Sequence, residues 1–138
     1  MREGLVGGRP RVLIVDDEES TRLLLARILS ADLEAEVQLA GTSEQAIKLA
    51  QESSYDAILL DLLMPGTSGF SILKGIRSGS PNQSTPVIVV SVLTDEATID
   101  ECMAAGASAY HKKPIRRDKL IKTIREHIAA WRKSRSTT

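Results

Sequence analysis

Val12-Leu13-Ile14-Val15-Asp16-Asp17-Glu18-Glu19 is the stretch whose reading decides the fold. Its first four residues are apolar, rich in β-branching, too short for a helix and without polar alternation. That pattern suits a strand buried on both faces, as in a parallel sheet. Four acids follow at once. Similar runs occur at residues 57–60, which stop at Asp61, and at residues 87–93, which contain Ser91. Weaker runs cover residues 36–40 and 108–111, the second leading into Lys112-Lys113-Pro114. Between them lie segments with helical spacing. Leu24, Leu25, Ile28 and Leu29 mark a first helix over about residues 19–31. Ala46, Ile47 and Ala50 mark a second, opened by the capping sequence Thr42-Ser43-Glu44-Gln45. Ile72, Leu73 and Ile76 mark a third, Ile99, Cys102 and Met103 a fourth, and Leu120, Ile121, Ile124, Ile128 and Trp131 a fifth. Strand and helix thus alternate five times. Such alternation implies right-handed crossovers and a parallel sheet covered on both faces, an α/β fold.

The 138 residues suit one domain with one sizeable core. Eighteen basic residues offset eighteen acidic ones, which argues against a chain built mainly to bind polyanions. The zero is a cancellation, because residues 116–138 carry eight basic and two acidic side chains. A basic last turn also complements a helix dipole, so this excess does not by itself indicate nucleic acid. Aromatic residues make up only 3%, too few for a stacking platform. One cysteine, Cys102, excludes an internal disulfide framework, and no apolar run approaches a membrane span. A soluble, cytoplasmic protein is expected. Residues 1–10 read as a disordered extension, 11–131 as the domain and 132–138 as a basic tail, with 78–84 a turn-rich surface loop.

Open parallel sheets bind ligands at the carboxyl ends of their strands. Asp16, Asp17, Asp61, Ser91 and Lys113 would converge there. Asp17, Glu18 and Glu19 also suit the first turn of a helix, and Glu19 is assigned to that role. Asp16, Asp17 and Asp61 gathered at one edge would repel each other unless a cation offsets them. Hard carboxylate oxygens suit Mg²⁺. A carboxylate beside such a cation can act as a nucleophile toward a phosphoryl donor, giving an acyl phosphate. A lysine and a hydroxyl on neighbouring strand ends would hold the product.

The residues Val15-Asp16-Asp17-Glu18, Asp61-Leu62-Leu63-Met64-Pro65-Gly66, Ser91 and Lys113-Pro114 resemble the receiver domain of two-component response regulators. The intervals match too: forty-four residues from Asp17 to Asp61, thirty on to Ser91 and twenty-two on to Lys113. The resemblance spans about residues 11–131. It implies a CheY-like, flavodoxin-like (βα)5 fold, a doubly wound five-stranded parallel sheet of order 2-1-3-4-5. It implies Asp61 as phosphoacceptor, charged by a histidine kinase, a phosphotransfer protein or a small phosphodonor. Asp16, Asp17, Asp61 and the backbone carbonyl of Leu63 would hold Mg²⁺. Ser91 and Lys113 would hold the phosphoryl group, and Tyr110 would be the switch aromatic that follows Ser91 inward. The Lys113–Pro114 bond is expected to be cis. Phosphorylation would remodel the face of the fourth helix, fifth strand and fifth helix, to control a protein target or output domain or to form a homodimer. The domain would be a signalling module, not a turnover enzyme, with no membrane partner and no nucleic-acid contact of its own.

Two positions depart from the family's commonest pattern. Val92 stands where a small residue is usual, either crowding the acyl phosphate or simply packing the strand. Leu63 is apolar where many relatives are polar, so its side chain cannot orient water. Together they predict slow self-dephosphorylation. His111 reads as a strand residue, because no His or Cys stands at ligand spacing; His127 is expected to face solvent. Cys102 and Met103 read as helix packing. Three other classes share features with this chain: a receiver that binds without phosphorylation, a flavodoxin-type cofactor binder and a haloacid-dehalogenase-like phosphatase. The second wants phosphate-cradling donors after strand one, where this chain has acids. The third wants a second acid two residues after its nucleophile, where this chain has Leu63.

Overall fold

The computed structural model describes residues 8–66 and 68–136, so residues 1–7 of the expected extension and residues 137–138 of the expected tail lie outside the described residues. Ten elements alternate without exception: β1 (Arg11–Val15), α1 (Glu19–Leu33), β2 (Glu36–Ala40), α2 (Ser43–Glu52), β3 (Ala57–Leu60), α3 (Gly69–Arg77), β4 (Val87–Ser91), α4 (Glu96–Ala104), β5 (Ala109–Lys112) and α5 (Arg117–Ser136). The strands form one sheet in the order β2-β1-β3-β4-β5, every pairing parallel. Both the alternation and the strand order agree with the sequence reading.

Continuous apolarity in the strands is explained by two cores. Leu13, Val15, Ile58, Leu60, Val87 and Val89 point to one face and pack under α2, α3 and α4. Val12, Ile14, Ala57, Leu59, Ile88 and Val90 point to the other and meet α1 and α5 through Leu25, Leu29, Ile124 and Ile128. Successive strand residues face opposite ways, so a strand covered on both sides must be apolar at every position. The edge strand β2 shows the contrast: its Glu36 and Leu39 are exposed.

Local chemistry sets several helix starts. Thr42 Oγ1 accepts from the Gln45 backbone N–H at 3.1 Å, and Asp95 Oδ2 accepts from that of Thr98 at 3.0 Å, each filling a donor that the first turn leaves unpaired. Among the described residues no helix is long and apolar enough to cross a membrane.

The structure corrects several expectations. α5 runs through Ser136, so residues 132–136 are helix and not tail. Arg132 pairs with Asp56 at 3.1 Å, the guanidinium of Arg135 lies 4.4 Å from the Trp131 ring centroid, and basic residues at a helix end favour its dipole. Residues 8–10 belong to the fold: Pro10 is buried, its carbonyl accepts from Glu36 N–H at 2.8 Å, and Gly8 O accepts from Arg132. α1 extends two residues beyond 31, to Leu33. β4 stops at Ser91 and not at residue 93. Leu24, Ile47 and Met103 are exposed, outside the stripes they were assigned to. His127 is half-buried, its Nδ1 2.9 Å from the Thr123 carbonyl.

The loop at 78–84 is turn-rich and mostly exposed, as expected, but Ser80 and Asn82 point inward. Its Asn82 is wholly buried. The Asn82 amide donates to the carbonyls of Ala50 (2.7 Å) and Ser53 (2.8 Å) and accepts from Tyr55 N–H at 2.8 Å. Arg77 covers the outside, donating to the carbonyls of Gly106, Asn82, Gln83 and Thr85. The two buried polar residues of this exposed loop thus tie the ends of α2 and α3 to the segment before β4.

Candidate functional site

Three residues just past the strand ends are each pinned by one further rung of the sheet ladder. Asp16 N–H donates to Ala40 O at 3.1 Å, Asp61 N–H to Val15 O at 2.9 Å, and Lys113 N–H to Ser91 O at 2.8 Å. The rigid sheet therefore extends to the residues that carry the chemistry. Asp16, Asp17 and Asp61 each offer a carboxylate oxygen, all within 4.8 Å of one another. Asp16 and Asp61 are buried, and Asp17 is exposed. Lys113 Nζ donates to Asp16 Oδ2 at 2.9 Å and to Asp61 Oδ2 at 3.1 Å.

Backbone donors complete the arrangement. Glu18 N–H binds Asp16 Oδ1 at 2.9 Å, and Leu63 N–H binds Asp61 Oδ1 at 3.0 Å. The loop after β3 reaches this position because Gly69 lets α3 close on it: a Cβ there would lie 2.5 Å from Leu62 Cα. Leu62, Leu63, Met64, Pro65 and Asp17 line an open hollow of about 530 Å³ beside the carboxylates. Leu63 itself is 48% exposed at its lip.

Burial holds the Asp61 carboxyl above the usual carboxylate range, with the Asp16 charge adding to it; the Leu63 N–H and Lys113 pull the other way and do not cancel it. Burial alone would pull the Lys113 ammonium down, but hydrogen bonds to Asp16 and Asp61 together hold it above its usual value. The asymmetry is physical: Lys113 has two opposite charges beside it, whereas Asp61 has one opposite and one like. One lysine shared between two carboxylates, with Asp17 alongside, leaves net negative charge. Hard oxygens at this separation fit a small divalent cation, and Mg²⁺ needs few protein ligands.

Ser91 is fully buried, and its Oγ accepts from Leu93 N–H at 3.3 Å. Tyr110 is half-buried, and its hydroxyl donates to Leu93 O at 2.6 Å. Ser91 and Tyr110 therefore share one segment, the turn after β4. The Lys113–Pro114 peptide is cis, in line with the resemblance. Val92 lies beyond the end of β4 and is 55% exposed, which removes the reading that it packs the strand. His111 is a strand residue, its Nε2 2.8 Å from Thr123 Oγ1. The sequence reading missed Arg22, whose Nη1 donates to the Asp16 carbonyl at 2.8 Å, and nothing in its local sequence flagged it.

A family profile described as the response regulator receiver domain matches residues 12–125. The chain belongs to that family. It is a receiver domain of two-component systems, a signalling domain. It is 35% identical over 124 residues to the sensory/regulatory protein RpfC of Xanthomonas campestris pv. campestris, covering 88% of this chain and 17% of RpfC. The receiver thus spans a small part of that curated relative. The signal receiver domain of a putative Luxo repressor protein from Vibrio parahaemolyticus superposes with a TM-score of 0.86 at 26% identity, covering 94% of this chain and 98% of that one. The receiver domain of the sensor histidine kinase PA1611 from Pseudomonas aeruginosa superposes with a TM-score of 0.79 at 26% identity, covering 88% and 98%. That crystal structure holds a magnesium ion coordinated in its active-site cleft. Receiver domains bind Mg²⁺ at an acidic pocket, and this receiver has a cluster of three carboxylates, Asp16, Asp17 and Asp61, that could hold a metal ion.

Proposed function

We propose that this receiver accepts a phosphoryl group on Asp61 from a histidine kinase, a phosphotransfer protein or a small phosphodonor, in a Mg²⁺-dependent reaction. The observation that carries the reading is the contact of Lys113 with both Asp16 and Asp61 inside a three-carboxylate cluster. Asp16, Asp17, Asp61 and the Leu63 carbonyl hold the cation. When bound, Mg²⁺ offsets the charge on the transferring phosphoryl oxygens. An Asp61 carboxylate oxygen attacks phosphorus, and the new O–P bond forms as the donor's bond breaks: P–N in a phosphohistidine, P–O in acetyl phosphate. The electron pair leaves with the imidazole nitrogen or the acetate oxygen. Lys113 then pairs with a phosphoryl oxygen in place of the carboxylate, and the Ser91 hydroxyl supplies a further donor.

The switch follows from the shared segment. A phosphoryl group that draws Ser91 toward Asp61 displaces the turn holding Leu93, and Leu93 O is the acceptor of the Tyr110 hydroxyl. Tyr110 thereby reports the state of Asp61 on the face of α4, β5 and α5, which meets a protein target, an output domain or a second copy of this chain. Only unequal stabilisation of the two states shifts their populations. The receiver carries out this function in the cytoplasm. Self-dephosphorylation is slow, because Leu63 and Val92 put apolar side chains beside the site and neither can orient water.

The test is labelling with acetyl phosphate and Mg²⁺. Asp61→Asn should abolish it; a fully labelled mutant would overturn the assignment.

A further inference from the structure

Every polar group of Asp16 is held. Its N–H binds Ala40 O, its Oδ1 accepts from Glu18 N–H, its Oδ2 accepts from Lys113, and its carbonyl accepts from Arg22 Nη1 at 2.8 Å. The last bond fixes the peptide plane that joins Asp16 to Asp17, the exposed member of the carboxylate cluster. Arg22 is half-buried, one turn into α1. It can lie where it does because residue 41 has no side chain. A Cβ on Gly41 would sit 2.7 Å from Arg22 Nη1, 3.0 Å from Cζ and 3.3 Å from Nη2. Gly41 is not among the residues of positive φ, so its backbone does not demand glycine. A Cβ there would meet only the flexible end of Arg22, which would have to leave its present place.

We propose that Gly41 seats Arg22 and that Arg22 is a positioning residue, holding the Asp16–Asp17 peptide so that both carboxylates face one cation. The proposal rests on the reading of the cluster as a Mg²⁺ site. It makes a prediction opposite in sign to simple electrostatics. Arg22 is a cation near a cation site, so as a charge alone it would repel Mg²⁺, and its removal would tighten binding. As a positioning group its removal weakens binding, as loss of outer partners does at other metal sites.

The experiment is calorimetric titration of the full chain with Mg²⁺ for the wild type, Gly41→Ala, Arg22→Met and the double variant. Arg22→Met keeps the length of the stem and removes the donor. Each single variant should bind Mg²⁺ about tenfold more weakly, within the range seen for outer-shell losses. The double variant should be no weaker than Arg22→Met alone, because an added methyl matters only while the guanidinium is there to be displaced. The Mg²⁺ concentration that half-saturates labelling by acetyl phosphate should rise by the same factor, with little change in rate at saturation. Thermal melts identify a variant that fails to fold; should Gly41→Ala fail, Arg22→Met decides alone. Equal or tighter Mg²⁺ binding by Arg22→Met overturns the proposal, as does a double variant whose loss is the product of the two. A wild type that does not bind Mg²⁺ overturns the metal site and the proposal with it. Wild-type binding with unaffected variants overturns only the role of Arg22.

Discussion

Lys113 Nζ lies 3.1 Å from Asp61 Oδ2, an ion pair between the end of β5 and the end of β3 made across the intervening β4. The same ammonium is 2.9 Å from Asp16 Oδ2, so Asp61 shares its partner with a like charge. A buried carboxylate with half a counter-ion is poorly compensated. The site holds negative charge at a cost to the fold, and a cation or a phosphoryl group with its cation removes that cost.

The first prediction concerns that cost. Asp61 is held above its ordinary value of 3.8, chiefly by burial, so the folded state binds its proton more tightly than the unfolded state does. Stability from the protonated form is lost as pH rises from that ordinary value through the raised one, and the ionised carboxylate is a net cost at neutral pH. Asp61→Asn should therefore raise Tm at pH 7 without Mg²⁺, and the gain should vanish toward pH 3. Melts of both proteins across pH measure it. A mutant less stable than the wild type at pH 7 contradicts the charge balance described here.

His111 gives the opposite slope. Burial, with Lys119 and His127 nearby, holds its imidazole below the ordinary 6.5, so the unfolded state takes the proton first as pH falls. The stability it contributes is full above 6.5 and declines below it. His111→Gln, which keeps a polar group near Thr123, should flatten the loss of stability between pH 7 and pH 5. Denaturant titrations at the two pH values test this; parallel losses in both proteins would remove His111 as the cause.

Asn82 should be the costliest polar truncation in the fold. Asn82→Ala leaves the Ala50 and Ser53 carbonyls and the Tyr55 N–H without their partner in a dry site. The loss should be about 3 kcal/mol, the range for stranding buried polar groups. Urea unfolding measures it, and a loss below about 1 kcal/mol would show that water replaces the amide.

Phosphoryl lifetime reports on Leu63, two residues after Asp61, and Val92, next to Ser91, which are 48% and 55% exposed. Leu63→Asn gives attacking water a polar partner, and Val92→Ala opens its path. The double variant should lose its phosphoryl group at least about tenfold faster, a modest fraction of what a positioned polar group contributes to hydrolysis. Decay after removal of the donor measures it. A wild-type lifetime of seconds would contradict the slow release expected here.

The architecture was legible because both sheet faces are covered: residues 12–15, 57–60 and 87–90 had to be apolar throughout, and that pattern has few other meanings. The site was legible because Asp16, Asp61 and Lys113 follow their strands directly, so the ladder carries them to one rim. What stayed hidden depends on contacts between distant residues. Asn82 looks like any loop asparagine until three elements close around it. Arg22 looks like a surface arginine until Gly41, nineteen residues on, leaves it room. The helical residues 132–136 read as a tail because basic composition carries no periodicity of its own, whereas the pairing of Arg132 with Asp56 is tertiary.

Phosphorylation of Asp61 is tested most directly by mass spectrometry of the chain after incubation with acetyl phosphate and Mg²⁺. The wild type should gain one phosphoryl group, located on the peptide that contains Asp61, and chelation of Mg²⁺ should prevent the gain. Asp61→Asn should gain none. A phosphoryl group found on any other residue, or an unchanged gain in the mutant, would contradict the account.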